Sequence, residues 1–399
     1  MSIAIYTLTS ELHDEQAVTA VTREFLSSLH FDYDLRGSDY ADYGEHDLSL
    51  IYVRTGGTEG IFKRLLPQLL AQSDAPFYLL TSGKSNSLAA SMEILSFLRQ
   101  RGYCGEILHG SAYYIADRVA LLAKVGEARH RLKGCRLGVI GKPSDWLIAS
   151  GTDQAAVASK LGIELVDIPM EKLRFEIDKV PLLCPQSTAS PAPKHRFLPG
   201  AERIYEALKV VVADHHLQGF TLRCFDLLTA VQNTGCLALA RLNADGIVAG
   251  CEGDVPAMLT MVIALALTGV TGFQANPASI DPQTGEMVFA HCTIPLNLVS
   301  SYEFDTHYES GIGVGIRGHM PEGQVTVFKV SGDLSRWFVA EGQLLRNEAK
   351  PDLCRTQLVV RLDDAERARY FLDNPIGNHH IVLPGHHQKM LEEMMRQCR

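Results

Sequence analysis

Ile247–Gly269 reads IVAGCEGDVPAMLTMVIALALTG. Its first residues, IVAGC, are apolar or small and have the texture of a buried strand. Glu252 and Gly253 turn the chain. Asp254 then stands where a helix-capping carboxylate is expected, and Pro256 falls in the first turn, where proline is tolerated. An uncharged run to Leu267 follows and reads as a helix. Strand, short turn and helix in this order form one unit of an α/β sheet. The helix is too short to cross a bilayer, which needs ~20 residues.

The same alternation runs through most of the chain. In the first third, IAIYTL (3–8), LSLIYV (48–53), FYLLTSG (77–83) and CGEILHG (104–110) read as strands with helical stretches between them. A second series begins at CRLGVIG (135–141) and continues through IELVDIPM (163–170), FTLRCF (220–225) and GIVAGCEG. Such series predict parallel sheets with helices on both faces. The stretch 183–200, LCPQSTASPAPKHRFLPG, is rich in Pro, Ser and Ala and reads as a long loop. From about 285 the texture changes to short alternating strands divided by glycines, which predicts an antiparallel sheet or barrel. The expected organisation is an N-terminal α/β domain (1–133), a central α/β domain carrying Glu252 (134–284) and a C-terminal β-rich domain (285–399).

The totals exclude some classes. A chain of 399 residues with a net charge of −9 offers no basic surface for nucleic acid and none for an anionic membrane. The N-terminal MSIAIYTLTSELHDEQ lacks the basic start and cleavage site of a signal peptide, so a cytoplasmic protein is expected. Nine scattered cysteines with no CxxC pair fit reduced thiols.

Several loops follow the carboxyl ends of expected strands, where ligands bind in open α/β sheets. They are RTGGTEG (54–60), SGKSNS (82–87), GKPSDW (141–146), CFD (224–226) and CEGD (251–254). Two look-alike motifs are set aside. GVGIRG (313–318) has no helix behind it, and SGKS (82–85) lacks the first glycine of a phosphate loop. Histidines, fifteen in all, gather late: AHC (290–292) and GNHHIVLPGHH (377–387) are the richest stretches. No HExxH spacing exists, so a metal site would need distant segments. Asp254 is explained as a helix cap. Glu252 is not, and a carboxylate at a buried strand end calls for a cation or a hydrogen-bonding partner such as Arg54 or Arg223.

Taken together, CEGDVPAMLTMVIALALTG, FQANPASID, MVFAHCTIP and the late GNHHIVLPG resemble the L-fucose isomerase and L-arabinose isomerase superfamily, including its fucose-isomerase-like branch. The clearest likeness covers 220–300 and 370–387. The resemblance implies two α/β domains and a β domain. It also implies an aldose–ketose isomerase working through an enediol(ate) with a divalent metal, Mn²⁺ first and Mg²⁺ or Co²⁺ next. It implies metal ligation by Glu252, by His291 and by His380 or its neighbour His379. Where the family's second carboxylate is expected, Ala275 and Asn276 stand instead. Asn276 then becomes a ligand through its carbonyl oxygen, and Asp281 the second acid–base group beside Glu252. Arg54, Thr58, Ser144, Trp146, Arg223, Asn276 and Arg317 are the expected sugar-binding residues. If the cations in or beside the strand-end loops, Arg54, Lys142, Arg223 and Arg317, pair with acids, the sugar is neutral; if several converge, it carries a phosphate, carboxylate or sulfonate. The resemblance further implies a homotrimer or hexamer with shared active sites. The alternatives are a non-catalytic sugar-binding protein and an epimerase-like variant lacking the second carboxylate.

Overall fold

The computed structural model describes residues 1–182 and 196–398. The chain divides into two compact units, Met1–His130 and Arg131–Arg399.

The first unit runs β1 (Ile3–Leu8), α1 (Glu15–Ser27), β2 (Asp34–Gly37), β3 (Leu48–Val53), α2 (Glu59–Gln72), β4 (Phe77–Leu80), α3 (Ser87–Arg99), β5 (Gly105–Leu108) and α4 (Ala112–Leu132). The sheet order is β2-β1-β3-β4-β5, and every neighbouring pair is parallel. Alternate residues of each strand serve opposite faces, as a period of two requires. Ala4, Tyr6, Ile51 and Val53 enter one core; Ile5, Leu50, Tyr52 and Leu80 enter the other. Both faces are therefore apolar, which is why these strands read as continuous hydrophobic runs. β2 escapes such a reading because DLRG is an exposed edge strand with no apolar face to betray it.

The second unit starts with β6 (Arg136–Ile140), α5 (Gln154–Leu161), β7 (Glu164–Ile168), α6 (Met170–Lys179), α7 (Leu198–Asp214), β8 (Gly219–Leu222), α8 (Asp226–Ala230), α9 (Cys236–Ala244), β9 (Val248–Cys251) and α10 (Val255–Thr268). Its sheet, β7-β6-β8-β9, is again parallel. Of the expected loop 183–200, residues 183–195 lie outside the described residues. Leu198–Gly200 instead open α7, with the proline in the first turn, where its missing N–H costs nothing.

Six strands then close an antiparallel barrel: β10 (Phe273–Ile280), β11 (Glu286–His291), β14 (Gly323–Val330), β15 (Trp337–Glu348), β16 (Thr356–Leu362) and β17 (His380–Pro384). The order around it is β10-β11-β16-β15-β14-β17. A side hairpin joins β12 (Ser301–Asp305) to β13 (Gly315–His319), and α11 (Tyr370–Asp373) and α12 (Gln388–Gln397) complete the chain. The barrel takes in Phe273–Ile280, upstream of residue 285, where the texture of the sequence changes. Pro277 and a register irregularity after it interrupt the β10–β11 ladder, which hides the strand in the sequence. The fold is thus two parallel-sheet α/β layers followed by a closed antiparallel barrel, the class expected from the pattern.

The uncharged helix α10 lies between the second parallel sheet and the barrel, touching β8 and β9 on one side and β14 and β17 on the other. Val255–Ala264 are all buried. A helix apolar all round is one buried all round. Among the described residues no helix is long and apolar enough to cross a membrane.

Candidate metal centre

Glu252 follows the last residue of β9 and is 8% exposed. Its backbone is left-handed, with φ +63°, a strained conformation for a residue with a side chain. Gly253 is also left-handed, at φ +70°. A Cβ built there falls 2.5 Å from Lys142 O and 2.8 Å from Pro143 Cα, so only glycine fits. The Ser144 N–H donates to Glu252 O at 2.9 Å and fixes the turn. Gly253→Ala combines positive φ with a backbone clash and is expected to cost about 2–4 kcal/mol, read from urea midpoints.

The carboxylate so placed meets three side chains. The Trp146 indole N–H donates to Oε2 at 2.7 Å. His379 Nε2 lies 3.5 Å from Oε1, and His291 Nε2 lies 3.7 Å from it. Both imidazole distances are longer than ordinary hydrogen bonds. One ligand atom from each of Glu252, His291 and His379 lies within 4.8 Å of the others. His379 Nδ1 donates to Asp254 Oδ2 at 2.9 Å, while His379 Nε2 is buried with no hydrogen-bond partner. An imidazole held by a carboxylate at one nitrogen and facing ligands with the other is the usual arrangement at a metal. Two imidazoles and one carboxylate suit a divalent first-row metal, so the residues present fit such an ion. A second group, Glu341, Asp363 and His386, is open to solvent.

Burial opposes ionisation of Glu252, but the His291 and His379 rings outweigh it and hold the carboxyl well below its usual range. Burial likewise opposes a charged His379, yet Asp254 and Glu252 hold that ring up to about 9. Asp254 is itself fully buried. Its Oδ1 accepts from Ala257 N at 2.8 Å and caps α10. Lys329, from β14, is also fully buried, and its ammonium lies 3.8 Å from Asp254 Oδ2. Capping, expected from the sequence, is therefore half of what Asp254 does.

His379 reaches the centre because strand faces alternate. His380 pairs across the barrel with Ala275, and Val382 with Phe273. Ala275, Phe273 and Val382 belong to the barrel core, so the His380 ring turns inward with them. There it meets the Tyr370 hydroxyl at 3.0 Å, and burial lowers its pKa to about 3. His379, one residue earlier, faces the other way. Of the pair GNHH, the geometry brings His379, not His380, to Glu252.

The other expected site residues separate into groups. Trp146 is half exposed and stands edge-on to Phe225, ring centroids 4.8 Å apart. Ser144 is buried, with its hydroxyl unpartnered. The Arg223 guanidinium is engaged by Asp145 at 2.8 Å and Asp226 at 3.1 Å. Arg317 pairs with Asp305 at 2.9 Å, and Lys142 with Asp145 at 3.6 Å. Asn276 accepts from the Asn378 amide at 3.2 Å and sits beside Ala290 on β11. Asp281 is not brought to Glu252. It closes the exposed β10–β11 turn, accepting from Gln283 N at 2.9 Å, roughly 16 Å along the strand from Asn276 at ~3.3 Å per residue. Arg54 and Thr58 belong to the first unit. Arg54 donates to the Thr22 and Thr9 hydroxyls at 2.8 and 3.0 Å, and Thr58 donates to Thr55 O at 3.1 Å.

No family model matches the chain. Curated relatives do. The chain is 22% identical over 265 residues to a sulfoquinovose isomerase of Alkalicoccus urumqiensis, covering 61% of this chain and 59% of that one. It is 30% identical over 168 residues to a sulfoquinovose isomerase of Clostridium sp. (strain MSTE9), 40% of this chain and 37% of that one. It is 23% identical over 280 residues to a sulfoquinovose isomerase of Priestia aryabhattai, 65% of this chain and 62% of that one. The matched stretches therefore span from about a third to under two thirds of those relatives. The chain is similar, at low identity, to proteins named as sugar isomerases.

Proposed function

We propose that this protein is an aldose–ketose isomerase acting on an open-chain sugar, with a divalent metal held by Glu252, His291 and His379. The observation that carries the reading is the buried, unpartnered Nε2 of His379, aimed at Glu252 and oriented from behind by Asp254. A divalent metal held there would supply Lewis acidity toward the reacting end of the sugar. The chain supplies the rest. Asp254 sets the His379 tautomer. Trp146 orients Glu252 and offers a half-exposed indole face against which the carbon chain of the sugar can pack. The turn at Glu252 and Gly253 sets where the side chain leaves the backbone.

The names of the relatives make sulfoquinovose, an anionic sugar, the first substrate to try. A neutral aldose is the second reading. It is favoured by the pairing of Arg223, Arg317 and Lys142 with acids, which leaves their charge already answered. Purified protein stripped with chelator and reloaded with Mn²⁺, Mg²⁺ or Co²⁺ is to be incubated with both sugar types and the products read by NMR. Metal-dependent ketose formation is expected, together with a rise in melting temperature on reloading. Tight sugar binding without turnover under every metal would favour a binding protein, and epimer formation the variant reaction. A homotrimer or hexamer in a cytoplasmic setting belongs to the same reading, and light scattering tests the assembly.

A further inference from the structure

The resemblance expects a second carboxylate on β10, and this chain has none in place. Ala275 is fully buried in the barrel core, and Asp281 caps the far turn of the hairpin. We propose that Glu309, on the loop between β12 and β13, is the second acid–base carboxylate of the site, moving the sugar's carbon-bound proton. The inference rests on the isomerase reading.

Four contacts link Glu309 to Glu252. Its Oε2 lies 3.7 Å from His307 Nε2. The His307 ring, 8% exposed, stands edge-on to Phe225 with centroids 5.4 Å apart. Phe225 in turn meets Trp146, whose indole holds Glu252. The wall from Glu309 to Glu252 is thus continuous: carboxylate, imidazole, two aromatic rings, carboxylate. The loop is also pinned beside the second imidazole ligand. Just after the loop, the Ile316 backbone N–H donates to the carbonyl of Cys292 at 3.1 Å, the residue after His291. On its far side the loop is clamped by Thr234, whose hydroxyl donates to Val314 O at 2.8 Å and accepts from Val314 N at 2.9 Å. Gly313, left-handed at φ +68°, lets the backbone pass Thr234, since a Cβ there would fall 2.6 Å from its side chain. His307 Nδ1 meets Ser310 Oγ at 3.1 Å, which keeps the ring facing Glu309.

The electrostatics agree. Burial first, and then the charge of Glu252, raise the Glu309 carboxyl above its ordinary range, so the two carboxylates feel one another. Burial lowers His307 to about 4, so the ring is neutral near pH 7 and is no counter-ion to Glu309. Glu252, held ionised and engaged by two imidazoles and an indole, is a ligand. Glu309, 54% exposed and bound to no cation among the described residues, is free to gain and lose a proton.

The step balances without a co-reactant. Glu309 takes the proton from C2 of the aldose and returns it to C1. The O2 hydroxyl proton passes through solvent to O1. C2 is oxidised by two electrons as C1 is reduced by two. Because Glu309 touches solvent, its proton exchanges, and in deuterated water the ketose gains deuterium at C1.

The test uses the full chain with Mn²⁺ and the sugar that the wild type converts. Glu309→Gln is expected to lower kcat by ~10²-fold or more, with KM and Mn²⁺ affinity by electron paramagnetic resonance unchanged. Glu309→Ala is expected to regain part of its turnover with added formate, which a merely structural role would not allow. A Gln variant within a few-fold of wild type would overturn the assignment, as would a loss that formate leaves untouched or that tracks a loss of Mn²⁺. A wild type that isomerises no sugar would sink the isomerase reading and this role with it. An active wild type beside an active Gln variant would sink this role alone.

Discussion

Glu252→Gln is expected to abolish Mn²⁺ binding in the micromolar range and, with it, sugar conversion. The substitution keeps the volume and shape of the side chain. Its amide oxygen can still accept from the Trp146 indole, and the backbone bond from Ser144 N to Glu252 O at 2.9 Å is untouched. The fold should therefore persist, as far-UV circular dichroism would show. What disappears is the single negative charge shared by His291 Nε2 and His379 Nε2 at 3.7 and 3.5 Å. Loss of groups that only orient metal ligands already costs about 10–100-fold in affinity, so loss of the charged ligand should exceed ~100-fold. Titration with Mn²⁺ followed by electron paramagnetic resonance measures it. Binding within a few-fold of wild type would remove Glu252, and with it the proposed centre.

The second large effect is expected at Asp254, where two roles separate. Asp254→Asn leaves an amide that can present either C=O or N–H to His379 Nδ1, so the tautomer with a free Nε2 is no longer enforced. Metal affinity should fall about 10–100-fold. The same change strands Lys329, fully buried and already without a hydrogen bond. Removing one partner of a buried charge pair costs about 3–5 kcal/mol, which urea unfolding of the metal-free protein would register. Adding Lys329→Met removes the stranded charge. The double variant should recover most of the stability, because replacing a buried pair by apolar volume is often neutral. It should recover none of the metal affinity. If stability and affinity return together, Asp254 acts on the metal only through the fold.

Much of the architecture was legible because it repeats a local signal. Strands buried on both faces announce themselves as apolar runs, and helices between them by their period, so both parallel sheets and the change to short alternating strands were visible. β2 and β10 were not, one being an exposed polar edge and the other carrying a proline and an irregular register. Glu252 was legible for a different reason: an acid at a buried strand end, just before an uncharged helix, has no local partner to explain it.

The partners of Glu252 are another matter. His379 and His380 are equal in sequence, and only the barrel register, Ala275 opposite His380, turns one ring into the core and the other toward Glu252. Asp254 satisfies a helix cap locally, so nothing in its neighbourhood announces the imidazole and the ammonium on its second oxygen. Glu309 sits in a glycine-bearing loop where no local signal singles it out, and only the contacts of His307, Phe225 and Trp146 link that loop to Glu252. The order of layers and one unexplained carboxylate can be read from the residues alone, because hydrophobic periodicity and capping act over a few residues. Which distant imidazoles approach it, and which buried lysine approaches the neighbouring Asp254, is set by long-range packing. Those choices depend on strand register and closure of the barrel, where a shift of one residue exchanges core for site.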